Sequence, residues 1–494
     1  MLKSSLLEIL RTFSKQELIK FEDFVMSPYF NKKENVLKLF LEIKKYAPEF
    51  SSDNLEKEKV WKNMFPEKEY NYGIMKNFIH DLTGLSEKFI LLEQYSGETL
   101  RCELDLIEAA FNRNIQKFTF GKMDQLEKKI DKEIDPNKYS SINQYLFIAG
   151  NYYDSKSSFI LDYDLKQKRE YSLRLSSEYT LYNFLVRSFK LIHNTTAYEM
   201  QETGTVKKTL LEKFFLKLKE HSILEELLLK EDKEQPQDKL SKIVICFYLM
   251  YNAVISKGDK AEYDKFKSYL HENIELFSGH ELRNLNACRH TCTLNLKIPR
   301  AKESLDWYKF LMEKNALLLK NGLINNNLVT SVVNYSIALK ETGFAEEFLN
   351  RYAGSLPADS RDNTYNYCMA RIHFGRSEFG KSLECLAKIS DEKLIRKYLL
   401  KKLYLMIYYE LNDYESFIYA FDTYAHFKKR NKLISETRAE EFSNFGNNVR
   451  RLFKLRNKYD KFESLKLRKE TGEQLWFVEK LDELEKSKQL IVNS

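Results

Sequence analysis

Glycine and proline are scarce in this sequence of 494 residues. The 15 glycines and 7 prolines make up under 5% of the chain, against about 12% in an average protein. Because tight turns draw heavily on these two residues, little of the chain is available for turns. No segment alternates apolar and polar residues between Asn-Gly or Asp-Gly turns, as a hairpin would. We therefore expect an all-α protein.

Cysteines and long apolar runs are also few. Six cysteines are too few for a disulfide scaffold in a chain of this length, and they favour a reducing compartment. The first residues, MLKSSLLEILRTF, are typical of an amphipathic helix and not of a secretory signal. The longest apolar stretch, 243–255, gives about 20 Å of helix against a hydrocarbon core of about 30 Å. We expect a buried helix there, no membrane span and a cytoplasmic location.

Residues 1–95 are predicted to form a small N-terminal helical domain. Ser14 and Glu17 have the spacing of a capping box, and Pro28 disfavours helix at the residue before it. Apolar residues at helical spacing predict further helices over 33–46, 54–65 and 71–95. SPYFN at 27–31 and MFP at 64–66 resemble motifs near the start of uncharacterised bacterial proteins, and no activity comes with that resemblance.

Residues 96–430 are predicted to form helical hairpins. Helical runs alternate there with short breaks. The predicted breaks lie near Gly121, Asp135-Pro136, Gly204, residues 234–237, Gly258, Gly279, Pro299, Gly322, Gly343, Pro357 and Asp413. Residues 431–494 are predicted to form basic helices that cap the stack.

An internal repeat is clearest over 326–427. YNYCMARIHFGRSEFGKSLECLAKI, which begins at Tyr365, and LYLMIYYELNDYESFIYAFDTY, which begins at Leu403, show one pattern 35 residues apart. Both segments resemble tetratricopeptide motifs, in which small and large residues alternate at the helix contacts. The matching positions are Ala370, His373, Phe379 and Ser382, then Leu405, Tyr408, Tyr414 and Phe417. Leu405 and Phe417 are larger than the family prefers.

The resemblance implies an α-α superhelix whose first helices line a concave groove. Such a groove receives an extended peptide or a partner helix. Its basic points would suit an acidic partner. The residues expected to face it are Tyr367, Arg371, Phe374, Lys402, Met406 and Tyr409. In the alternative interpretation, these side chains pack against helices of the protein itself.

The net charge of +8 comes from one part of the chain. Residues 428–469 contain 14 basic and 5 acidic residues. On one continuous helix, Arg450, Lys454, Lys458 and Lys461 would share a face beside Arg451, with Phe445, Val449, Leu452, Tyr459 and Phe462 on the other side. This face could dock nucleic acid or an acidic protein, or it could be a solvated cap. A lipid-surface helix fits less well, because the apolar side would be needed inside the fold.

Two weaker patterns suggest DNA or metal binding. Lys76, Asn77 and His80 would lie at the reading end of a helix-turn-helix formed by 54–65 and the helix from 71. Cys288 and Cys292 would share a helix face, but His290 would lie on another face, so we expect buried thiols and no zinc site.

The sequence favours a binding protein over an enzyme. It has no phosphate-binding glycine loop, zincin motif, nucleophile elbow or kinase motif, and no cofactor is expected. We expect a cytoplasmic scaffold or adaptor that holds a protein or peptide in the groove, where the basic residues would suit an acidic partner. The alternative is a nucleic-acid-associated regulator that uses the N-terminal helices or the basic C-terminal helix.

Overall fold

The computed structural model describes residues 4–97, 99–131, 141–161, 166–200, 207–230, 238–296, 298–319, 322–390, 394–430, 436–472 and 474–492. Within these ranges the chain forms 24 α-helices and no strand. Most helices pack against their neighbours in the chain. This confirms the predicted all-α, solenoid-like fold. None of the described helices is long and apolar enough to cross a bilayer.

The chain divides into two compact units. The first comprises Met1–Glu133 and Phe147–Glu178, and the second comprises Ile134–Leu146 and Tyr179–Ser494. The helices α8, Ile142–Leu161, and α9, Lys166–Glu199, contribute residues to both units. The predicted boundaries at 95 and 430 remain predictions.

The other helices of the first unit follow the sequence pattern closely. They are α1 Ser5–Leu10, α2 Lys15–Met26, α3 Glu34–Lys44, α4 Lys57–Met64, α5 Tyr72–Gly97, α6 Thr99–Phe111 and α7 Gln116–Asp131. The capping box is confirmed, since the Glu17 N–H donates to Ser14 Oγ and the Ser14 N–H donates to the Glu17 carboxylate. Phe21 lies at the centre of the buried core of α1–α5, with its ring centroid 5.0 Å from that of Phe40 and 5.2 Å from that of Phe89.

The second unit contains the remaining helices. They are α10 Leu210–Glu220, α11 Ile223–Glu225, α12 Lys239–Ile255, α13 Lys260–Glu272, α14 Gly279–Asn295, α15 Arg300–Glu313, α16 Asn326–Ala338, α17 Thr342–Tyr352, α18 Arg361–Gly375, α19 Phe379–Ala387, α20 Leu394–Glu410, α21 Tyr414–Arg430, α22 Glu436–Asn457, α23 Lys461–Thr471 and α24 Leu475–Val492. The expected buried helix is α12, in which every residue from Ile243 to Val254 is buried.

One kind of turn ends five of the described helices, one in the first unit and four in the second. In each, a residue with left-handed φ is followed by a residue whose N–H bonds to the carbonyl five positions earlier, which is the Schellman arrangement. The turn after α18 is an example, because Ser377 has a φ of 62° and the Glu378 N–H lies 2.9 Å from the His373 carbonyl oxygen. The left-handed residues are Asn114, Asn315, Lys340, Ser377 and Asn412.

Glycine did not mark all of these turns. Gly121 lies within α7, and the turn before it uses Asn114 instead, so the predicted break at Gly121 is wrong. Asparagine tolerates left-handed φ because its short polar side chain can bond locally. Three predicted breaks, at Asp135-Pro136, at Gly204 and over 234–237, lie outside the described residues.

Small residues bring α16, α18 and α19 close together. Ala370 and Ser382 are fully buried, and the Ser382 hydroxyl donates to the Ala370 carbonyl oxygen at 2.7 Å. Gly375 lies at the end of α18, where an added Cβ would stand only 2.9 Å from Ile337 Cγ2. A larger residue at this point would push the two helices apart.

We predict that Gly375→Ala lowers the free energy of unfolding by about 1 kcal/mol or more through overpacking. Gly380→Ala is the matched control, because an added Cβ there meets nothing within 4 Å, and it should raise stability by about 0.5 kcal/mol. Urea denaturation followed by circular dichroism measures both. Equal stabilities for the two variants would contradict the close approach of α18 to α16.

Candidate functional site

Three residues predicted to face the groove are buried. Tyr367 is 4% exposed, Met406 8% and Tyr409 1%. The Tyr409 ring is covered from α22 by Phe453, with centroids 5.0 Å apart, and from α24 by Trp476, with centroids 5.4 Å apart. These three side chains therefore fill the protein interior, as in the alternative interpretation, and are not available to a partner.

The C-terminal helices α22 and α24 are attached to α20 by polar as well as apolar contacts. Glu410 at the end of α20 accepts hydrogen bonds from Trp476 Nε1 at 2.7 Å and from Lys480 Nζ at 3.1 Å. Arg456 stacks over the Tyr409 ring, 4.7 Å from its centroid. Phe374, another predicted groove residue, is partly buried against the apolar cluster that these helices share. The C-terminal helices thus cover most of the side chains that were predicted to line the groove.

The two remaining predicted residues, Arg371 and Lys402, are cations close enough for the charge of Arg371 to lower the pKa of Lys402, and we call them the cationic pair. Arg371 lies on α18 and Lys402 on α20, and both are partly exposed. Arg371 Nε donates to Asn334 Oδ1 on α16 at 3.1 Å, which fixes the direction of the guanidinium group. Within the described part of the chain, neither cation forms an ion pair with a carboxylate.

The amine of Lys402 is poorly solvated. Its Nζ lies 4.1 Å from the centroid of the Phe445 ring, in a cation–π contact. Burial, together with the charge of Arg371, lowers the pKa of Lys402 to about 8, while Glu441 on α22 acts in the opposite direction. An anion bound between Arg371 and Lys402 would offset the repulsion between the two cations.

A buried ionic cluster joins α13, α14 and α15, and sequence reasoning missed it. The Glu303 carboxylate accepts hydrogen bonds from Arg289 at 2.6 Å, from the Tyr263 hydroxyl at 2.7 Å and from Lys267 at 2.8 Å. Burial alone would raise the pKa of Glu303, but the bonds from Lys267 and Tyr263 and the charge of Arg289 lower it. The guanidinium of Arg289 also stacks on Trp307, 4.2 Å from the ring centroid. This carboxylate is fully engaged and acts as a structural tie.

The basic C-terminal segment differs from its prediction. The helix α22 ends at Asn457, and Asp460 caps a new helix by accepting from the Glu463 N–H at 2.8 Å. Lys458 and Lys461 are therefore not on the helix that carries Arg450 and Lys454, although all four side chains are exposed. The prediction of one continuous basic helix face is wrong, because the cap at Asp460 starts a separate helix.

Arg451 is the one predicted basic residue that is paired. It bonds to Glu463 at 2.6 Å and also to Glu470, both on α23. Phe445, Val449 and Leu452 are buried as expected. Phe462 was expected on the same apolar side, but its side chain is 78% exposed because it belongs to α23.

The weaker patterns bring together no further site. Cys288 and Cys292 are buried, whereas His290 between them is exposed. Across the described ranges, no group of three His, Cys, Asp or Glu side chains is placed to hold a metal ion. Lys76, Asn77 and His80 are exposed on the long helix α5, and residues 4–97 contain no strand.

Comparison of the chain with protein-family models, with curated proteins and with solved structures gives no match.

We predict that Lys402→Met stabilises the free protein by about 1 kcal/mol at pH 7, because it removes a poorly solvated charge while keeping an apolar stem. The pKa of Lys402 is about 8 in the folded protein, against an ordinary value of 10.5. Between these values Lys402 binds more protons in the unfolded chain than in the folded one, so the contribution of this residue to wild-type stability should rise with pH across this window. Urea denaturation of both proteins at pH 7 and pH 10 should show the difference between them shrinking. A constant difference would contradict a lowered pKa.

Proposed function

We propose that the protein is a non-enzymatic cytoplasmic scaffold, built from tetratricopeptide-like hairpins, that binds an acidic segment of a protein partner at Arg371 and Lys402. The observation that carries this proposal is a pair of cations on neighbouring hairpins for which the described residues show no ion pair with a carboxylate. Buried or half-buried charges are normally paired. Two adjacent cations without a carboxylate partner among the described residues suit an acidic group supplied by another molecule.

The surroundings of Arg371 and Lys402 support a carboxylate as the ligand. The Asn334 contact occupies Arg371 Nε, and the described residues give no partner to its two Nη groups. A guanidinium can donate from two nitrogens to one carboxylate, and partial desolvation strengthens such bonds. Lys402 adds a second donor from α20 at the same place. A short acidic motif would thus contact two hairpins at once.

A binding assay tests the proposal. We expect short fluorescent acidic peptides to bind the full chain, and their counterparts with Asn and Gln in place of Asp and Glu to bind weakly or not at all. Arg371→Gln and Lys402→Met should each weaken binding of the best acidic peptide by about ten-fold or more, because a hydrogen bond to a charged group is lost. Affinity should also fall from pH 7 to pH 9, as Lys402 loses its proton.

Lys388→Ala is the matched control, since Lys388 is an exposed lysine at the end of α19, in the hairpin that contains Arg371. It should leave peptide affinity unchanged. Equal binding of acidic and amide peptides, or equal losses for all three variants, would refute the site. Tighter binding to nucleic acid than to any peptide, lost when Arg450, Lys454, Lys458 and Lys461 are changed to Glu and falling steeply with salt, would favour the nucleic-acid-associated alternative.

A further inference from the structure

The helix α23 exposes a face that combines lysines with apolar side chains. At 100° per residue, five of its residues lie within about 140° of the helix circumference. Phe462 is 78% exposed and Leu465 is 57% exposed. Three exposed lysines flank them. We call these residues the α23 outer face: Lys461, Phe462, Leu465, Lys466 and Lys469.

The two acidic residues of α23, Glu463 and Glu470, lie at the edge of this face, about 40° to 60° around the helix from Lys466. Arg451 of α22 pairs with both. Arg468 bonds to Asp482 of α24 at 2.6 Å. Within the described part of the chain, none of the three outer lysines has an ion-pair partner. The α23 outer face therefore carries three lysines whose neighbouring carboxylates are already engaged by Arg451.

The apolar side chains decide which kind of partner fits. A phosphate backbone would neutralise the lysines but would leave Leu465 in water. A folded protein would need a preformed pocket for each protruding side chain. The boundary between lipid headgroups and acyl chains is fluid, so it accommodates protruding side chains without a pocket, and lysines beside them attract anionic headgroups.

We propose that the protein docks reversibly on membranes rich in anionic lipids through the α23 outer face. Phe462 and Leu465 enter the headgroup boundary, and Lys461, Lys466 and Lys469 contact the anionic headgroups. This surface is separate from the Arg371 and Lys402 pair, so peptide binding and membrane docking are independent properties. The helix lies on the bilayer and does not cross it.

Vesicle cosedimentation of the full chain tests this proposal. We expect binding to phosphatidylcholine vesicles that contain phosphatidylserine, and little binding to pure phosphatidylcholine vesicles. Changing the three lysines to Gln should lower the partition coefficient by about a hundred-fold, since each basic residue near an anionic surface contributes about five-fold or more. Phe462→Ser with Leu465→Ser should lower it by about ten-fold or more, because less apolar surface leaves water.

Two controls keep the test specific. Leu210→Ser changes a side chain on α10 that is 84% exposed, and Lys388→Gln removes an exposed charge elsewhere. Both should bind vesicles as the unchanged protein does, and circular dichroism checks that every variant is folded. Absence of phosphatidylserine-dependent binding by the unchanged protein would overturn the proposal. The proposal would also be overturned if only the lysine variant lost vesicle binding and the same lysines were needed for binding to duplex DNA. That result would assign the face to nucleic acid.

Discussion

One backbone hydrogen bond ends the first helix of three successive hairpins in the same way. Its donor is the N–H of the residue after a left-handed position, and its acceptor is the carbonyl five residues earlier. It occurs after Lys340, Ser377 and Asn412, which are 37 and 35 residues apart. Because each turn satisfies carbonyls that would otherwise be orphaned, the chain can reverse direction without exposing backbone. The turns that follow α16, α18 and α20 therefore have similar geometry. Their repetition along the chain brings Arg371 of α18 near Lys402 of α20.

Much of the fold could be predicted from local signals. The capping box at Ser14 and Glu17 and the uninterrupted apolar run of α12 each depend on residues a few positions apart, so one sequence contains the whole signal. Turn positions were less predictable. Lys340 and Ser377 adopt left-handed φ without being glycine or asparagine, since the packing of the paired helices outweighs a small local cost. Gly121, by contrast, lies within α7, so glycine alone is not a sufficient signal for a turn.

The charged residues of the candidate site could be named from the sequence, but the burial of its apolar residues could not be predicted. The tetratricopeptide resemblance groups residues of α18 and α20 on one face, but it does not tell which later helix covers that face. Tyr409 is enclosed by Phe453 and Trp476, which follow it by more than 40 residues. Arg371 and Lys402 stay partly exposed because burying a charge without a partner costs more than burying a ring. The Glu303 cluster was missed because its members lie on three different helices, so no short stretch of sequence contains them together.

The basic segment shows that counting basic residues does not predict where their side chains lie in the fold. Counting residues reveals the excess of positive charge between 428 and 469. The contacts of Arg451 help to decide which way the basic side chains of α23 face. By binding both Glu463 and Glu470, this one arginine ties the acidic side of α23 to α22. Ser464, Leu467 and Thr471 are buried, so Phe462, Leu465 and the three lysines face solvent on the other side of the helix. Asp460 followed by Glu463 is a helix-start spacing that could have revealed the new helix. Once α23 is recognised as separate, its exposed apolar residues no longer belong to the interior, and the objection to a lipid-facing helix no longer applies.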